Sequence, residues 1–157
     1  MSSMPAEGDP APSFDLEAST GGRISLESLK GKPVVLYFYP KDDTPGCTAE
    51  ACAFRDMADQ YEFTGAVVLG VSPDDVPSHK KFAEKYGLKF PLLADPDHAV
   101  CEAYGVWGEK KNYGKTYMGV TRATFVIDSD GDINRVWPKV KVDGHADEVL
   151  AALRPLT

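Results

Sequence analysis

Val34-Val35-Leu36-Tyr37-Phe38-Tyr39-Pro40-Lys41-Asp42-Asp43-Thr44-Pro45-Gly46-Cys47-Thr48-Ala49-Glu50-Ala51-Cys52 is the stretch on which the fold turns. Its first six residues are an unbroken run of β-branched, aliphatic and aromatic side chains. Such a run reads as a strand buried on both faces, at the centre of an α/β sheet. Pro40 stops the strand, and residues 41–46 make a polar loop. From Cys47 to Tyr61 the pattern changes to helical spacing. Cys47, Ala51, Phe54, Met57, Ala58 and Tyr61 share one stripe, and Glu50 and Arg55 are expected to face outward.

Before this stretch, Phe14 and Leu16 alternate with polar residues, Thr20-Gly21-Gly22 supplies a turn, and Ile24 and Leu26 resume the alternation, which predicts a hairpin. Residues 26–29 suit a helical turn ended by Gly31. The first dozen residues are expected to lie loosely on the surface. After it, residues 66–71 read as a second buried strand. A helix follows, from the Asp74-Asp75 and Pro77 start signals to a Gly87 cap. Residues 90–94 suggest a short strand placed at an edge by Pro91. Residues 97–104 suggest a brief helix closed by Gly105, and the Lys- and Tyr-rich stretch 108–119 a loop. Residues 123–128 and 133–137 form a hairpin around Ser129–Asp132, and a last helix runs over 146–153. The order is that of an α/β protein, compatible with a thioredoxin-like fold: a central mixed sheet flanked by helices, with an N-terminal β-hairpin. We expect a single domain over 1–157, with 1–10 loosely ordered.

The 157 residues, 43% hydrophobic and 26% charged, suffice for one compact core. With 24 acids against 17 bases the formal charge is −7, which argues against nucleic-acid binding and, weakly, against anionic membrane surfaces. No apolar run has transmembrane length, and the N-terminus lacks the basic and apolar regions of a signal peptide. A cytoplasmic location is the expectation. The three cysteines, Cys47, Cys52 and Cys101, are too few and odd in number for a disulfide framework.

Cys47 falls at the expected first turn of a helix. Free N–H groups and the helix dipole favour an anion there, and the thiolate is the reactive form of cysteine. Thr44, three residues earlier, can bring a hydroxyl to the sulfur or to something bound beside it. Pro40 can wall the pocket from water. Cys52 lies five residues on. If both cysteines are helical, their Cα atoms are roughly 8–9 Å apart, beyond the ~7 Å that a disulfide tolerates, so bonding would require local unwinding. The competing reading is that a cysteine on an apolar stripe is simply core, and Cys101, beside Val100 and before Tyr104, fits it. The Cys-x4-Cys spacing falls short of a zinc pattern, and His79, His98 and His145 read as surface residues. A disulfide oxidoreductase and a non-enzymatic redox sensor stay open on these residues alone.

Pro40-Lys41-Asp42-Asp43-Thr44-Pro45-Gly46-Cys47-Thr48 resembles the Pro-x-x-x-Thr-x-x-Cys signature of peroxiredoxins. The extension to Cys52 is similar to the subgroup called bacterioferritin comigratory protein, or Q-type. The likeness runs from Gly8–Phe14 through Trp107–Lys111, Tyr113–Lys115 and Gly119–Asp128. It implies a thioredoxin-like fold and an antioxidant thiol peroxidase that needs no bound cofactor and no metal. Cys47 would be the peroxidatic cysteine, and Cys52 the resolving one that closes an intramolecular disulfide with it. Thr44, Gly46 and Arg122 would bind the peroxide, and Pro40 would shield the pocket. The substrates would be hydrogen peroxide and organic hydroperoxides, the reductant a thioredoxin or similar dithiol, and the protein a monomer.

Overall fold

The computed structural model describes residues 4–156, apart from the side chain of Asn112. The strand read first is the axis of the molecule. Val34–Phe38 (β3) is buried at every position. It pairs in parallel with Val67–Ser72 (β4) and antiparallel with Ala123–Ile127 (β8). Asp15–Ala18 (β1) and Arg23–Ser25 (β2) form the expected hairpin. With Leu92–Ala94 (β5) and Ile133–Trp137 (β9) they complete a seven-stranded mixed sheet in the order β2-β1-β5-β4-β3-β8-β9.

Alternation along β3 divides the core into two layers. Val35 and Tyr37 face one side, with Val68, Leu92 and Val126. Against them pack Pro45–Asp56 (α1), Ala58–Phe63 (α2), Val76–Tyr86 (α3) and His145–Leu153 (α5), through Ala51, Phe54, Tyr61, Phe82, Val149 and Leu153. Val34, Leu36 and Phe38 face the other side, against Phe14, Leu26 and Ala99–Ala103 (α4). Phe54, 1% exposed, stacks on Tyr37 at 4.9 Å and is the main weld between α1 and the sheet. Truncating a buried phenylalanine to alanine costs about 3–5 kcal/mol.

Four expectations are corrected. Residues 108–119 are not a loop: Trp107–Asn112 (β6) and Lys115–Val120 (β7) form a separate two-stranded ribbon. Its turn is Tyr113-Gly114, both at positive φ, which matches the twist of a tight hairpin. β5 is not an edge strand but lies between β1 and β4. Pro91 precedes it and offers only its carbonyl, which accepts from Gly70 N–H at 3.2 Å, so the proline removes no ladder bond. The single helix expected from Cys47 to Tyr61 is broken at Met57 into α1 and α2. Residues 8–11 are not loose. Gly8 N–H donates to the Ile133 carbonyl, Ile133 N–H to Asp9, and Ala11 N–H to Gly131, all at 2.8–3.0 Å. Residues 1–3 of that expectation lie outside the described residues.

Candidate active site

The site is built where α1 begins. Thr44 is extended (φ −99°, ψ 157°), and Pro45 occupies the first helical position, where its missing N–H is no loss. The Thr44 side chain does not cap the helix. Its hydroxyl donates to the Lys41 carbonyl at 2.8 Å, so its oxygen is left free to accept. The first helical bond is Thr48 N–H to Thr44 O, which leaves the N–H groups of Gly46 and Cys47 directed ahead of the helix.

Cys47 is 1% exposed. Arg122, just before β8, donates from Nη2 to its sulfur at 3.4 Å. Both positions follow from the sheet: β3 and β8 are adjacent, so the segment leaving one meets the segment entering the other. Gly46 makes the approach possible, since a Cβ there would lie 3.0 Å from Arg122 Nη2. Burial works against the arginine's charge, but Glu50 and Cys47 outweigh it, and its proton affinity ends above the ordinary range.

Glu50 is a correction and a gain. It was expected to face outward, yet it is 1% exposed, and its Oε1 accepts from Arg122 Nη1 at 2.7 Å. Burial raises its carboxyl to about 7, more than the pairing with Arg122 lowers it. Among the described residues Glu50 Oε2 and the Tyr37 hydroxyl are buried without a partner. Burial, and after it the charges of Glu50 and Cys47, hold Tyr37 protonated far beyond the ordinary range. Lys110 on β6 also belongs to the site, and nothing in its lysine-rich surroundings marked it. Burial and then Arg122 lower its proton affinity, while Cys47 opposes them, and its ammonium donates to the Val120 carbonyl at 2.8 Å.

Pro40 follows Tyr39, two residues beyond the end of β3, and is half-buried. Cys52 lies on α1, half-buried, and the three thiols are free. With Cys47 and Cys52 both inside one helix, the rise between them is about 7.5 Å. Cys101 is fully buried, and burial, then Asp95, pushes its thiol far up, consistent with the core reading. Two histidines depart from expectation: His79 (0% exposed) and His145 (3%) are buried. His145 is 2.8 Å from the Thr124 hydroxyl and edge-on to Phe54 and Trp137, and burial lowers it to about 4. His98 stays half-exposed, stacked on Trp107 at 4.0 Å. A cleft of about 500 Å³ lies elsewhere, around the α1–α2 junction and Phe90.

Residues 7–136 match the AhpC/TSA family. A Coxiella burnetii protein that carries the name peroxiredoxin bcp is 56% identical over 93% of this chain and 97% of its own. Bacillus subtilis Peroxiredoxin Bcp is 49% identical over 96% of each. Among solved structures, Xanthomonas campestris Peroxiredoxin Q superposes with a TM-score of 0.86 at 46% identity, covering 90% of both chains. A bacterioferritin comigratory protein of the same organism, described for alkyl peroxide reduction, is 45% identical with a TM-score of 0.86, again covering 90% of both. A buried sulfur at a helix start, an arginine reaching it, and nearly full-length relatives agree: the chain belongs to the AhpC/TSA family, within the peroxiredoxins of the bacterioferritin comigratory protein, or Q, type.

Proposed function

We propose that Cys47 is the sulfur with which this thiol peroxidase attacks hydroperoxides, and that Cys52 resolves the product. One observation carries the assignment: a buried sulfur at an uncapped helix N-terminus, 3.4 Å from a guanidinium that Glu50 anchors. Positive potential from both sources converges on the pocket in which charge develops during attack. Thr44 accepts a hydrogen bond from the peroxide O–H, since its own hydrogen is committed to the Lys41 carbonyl. The Gly46 and Cys47 N–H groups and Arg122 donate to the peroxide oxygens. The thiolate attacks the terminal oxygen and the O–O bond breaks. The hydroxyl passes to sulfur with its hydrogen, and the electron pair leaves on the alkoxide or hydroxide, which takes a proton from solvent and departs as alcohol or water. Arg122 stabilises that growing charge. Cys47 is left as a sulfenic acid.

Resolution forms a Cys47–Cys52 disulfide and releases water. α1 must unwind for it, because the helical separation exceeds disulfide reach. Unwinding also brings the bond within range of a thioredoxin-type dithiol, the reductant we assign. Pro40 shields the pocket. The 45%-identical Xanthomonas protein extends the substrate class to alkyl hydroperoxides. The protein acts as one domain, both halves of the site being carried on one sheet, and a disulfide between two cysteines of one helix needs no second copy, which fits a monomer. Thiols that must be re-reduced suit the cytoplasm. No helix among the described residues is long and apolar enough to cross a membrane.

Dimedone labelling read by mass spectrometry tests the assignment. One equivalent of peroxide should place the label on Cys47 in Cys52→Ser, and Cys47→Ser should neither label nor turn over. Substantial turnover by Cys47→Ser would refute it.

A further inference from the structure

The loop joining β3 to α1 carries two consecutive aspartates that α3 holds at both of its ends. Asp42, 8% exposed, lies between Pro40 and Thr44. Its carboxylate accepts from the Tyr39 hydroxyl at 2.6 Å, the Ser78 hydroxyl at 2.8 Å and His79 Nδ1 at 2.7 Å. Its N–H donates to Asp74 Oδ2 at 2.8 Å, and the same oxygen accepts from Ser72. His79 is fully buried, and its Nε2 lies 2.9 Å from the Leu93 carbonyl on β5. Nδ1 thus faces the Asp42 carboxylate and Nε2 the Leu93 carbonyl, so the ring ties the loop to β5. At the far end of α3, Lys85 and the Tyr86 hydroxyl donate to Asp43 at 2.8 and 2.9 Å, and Asp43 takes a left-handed φ of 59°.

Asp42, Asp74 and His79 bring ligand atoms within 4.8 Å of one another, the spacing of a cation site. Their facing atoms are already committed to protein partners, so the arrangement is a fastening.

We infer that His79 is a positioning residue for the peroxide step: through Asp42 it fastens the loop that presents Thr44 and the first N–H groups of α1. The inference rests on Cys47 being the reacting sulfur. Lys41 accepts from Thr44 within this loop, and Asp42, between them in the chain, ties the loop to α3 and through His79 to β5. What Asp42 and His79 fasten lies before Pro45, and the helical turns that separate Cys47 from Cys52 lie after it. Loosening the fastening should therefore harm peroxide attack and spare resolution. Misplacing a positioned group by about 1 Å costs on the order of 10²-fold.

The test is stopped-flow resolution of the two steps, sulfenic acid formation and disulfide closure, in His79→Gln and Asp42→Asn, with near-UV circular dichroism to confirm folding. Attack should slow by about 10–100-fold in each, with closure within about twofold of wild type. The double variant should be no slower than the slower single variant. Unchanged attack in folded variants overturns the inference. Equal slowing of both steps does too, because that is the mark of general destabilisation. Should either variant fail to fold, Ser78→Ala removes one of the bonds to Asp42 from α3. It should then slow attack about fivefold, and wild-type attack there overturns the inference. A wild-type chain that forms no sulfenic acid at Cys47 would instead sink the underlying assignment, an outcome these variants cannot mimic.

Discussion

Replacing Glu50 by glutamine should change how stability depends on pH more than it changes stability itself. The carboxyl is raised from 4.5 to about 7 by burial that the Arg122 pairing only partly offsets. At about 1.4 kcal/mol per tenfold change in proton affinity, that rise corresponds to about 3 kcal/mol. Below the unfolded value of 4.5 the group is neutral in both states. As pH climbs, the unfolded chain ionises first, while the folded chain keeps its proton until about 7. Stability from this group is therefore full at acid pH, declines across that window and levels off above it. Glutamine keeps an acceptor for Arg122 Nη1 and never ionises, so its profile lacks the decline. Urea unfolding of the reduced proteins, followed by circular dichroism from about pH 4 to about pH 8, should show the wild type losing up to about 3 kcal/mol relative to Glu50→Gln. His145 and the other titrating groups are common to both chains and cancel. Parallel profiles would refute the claim that burial raises the Glu50 carboxyl.

Cys52→Ser should react with one equivalent of peroxide at close to the wild-type rate and then stall with thioredoxin, which coupled NADPH consumption reads directly. Arg122→Lys replaces a fork that serves Glu50 and Cys47 at once with a point charge that cannot. Peroxide attack measured by stopped flow should fall on the order of 10²-fold. Gly46→Ala puts a methyl 3.0 Å from Arg122 Nη2 and pushes the guanidinium away by a few tenths of an ångström. Attack should slow up to about tenfold while the fold persists.

The sequence disclosed the parts of the fold that obey one period. β3 and β4 are unbroken apolar runs, α3 carries both of its caps, and the Thr44–Cys47 turn is local enough to read. Elements that depend on distant partners stayed hidden. Glu50 is three residues from Cys47 and therefore on its face, but its polarity argued for solvent. Only Arg122, 72 residues away, explains its burial. His79 was misplaced for the same reason, since Asp42 lies 37 residues away and Leu93 belongs to another strand. The β6–β7 ribbon escaped because its charged side chains other than Lys110 remain exposed and its pairing is made by backbone. Arg122 itself was reached by resemblance, as nothing in its neighbourhood distinguishes it from a surface cation.

α1 holds Cys47 and Cys52 within twelve continuous residues, so under the mechanism proposed above every catalytic round is also a miniature melting and re-annealing event. Isolated helices relax in about 0.1–1 μs. This one is fastened by Phe54 and must move more slowly, which sets a clock against which an oxidised sulfur waits. A chain hardened against heat by a working cap on this helix would lengthen that wait and invite a second oxidant molecule to carry the sulfur to irreversible sulfinic acid. Thermal robustness and endurance under oxidant pull in opposite directions along these three turns.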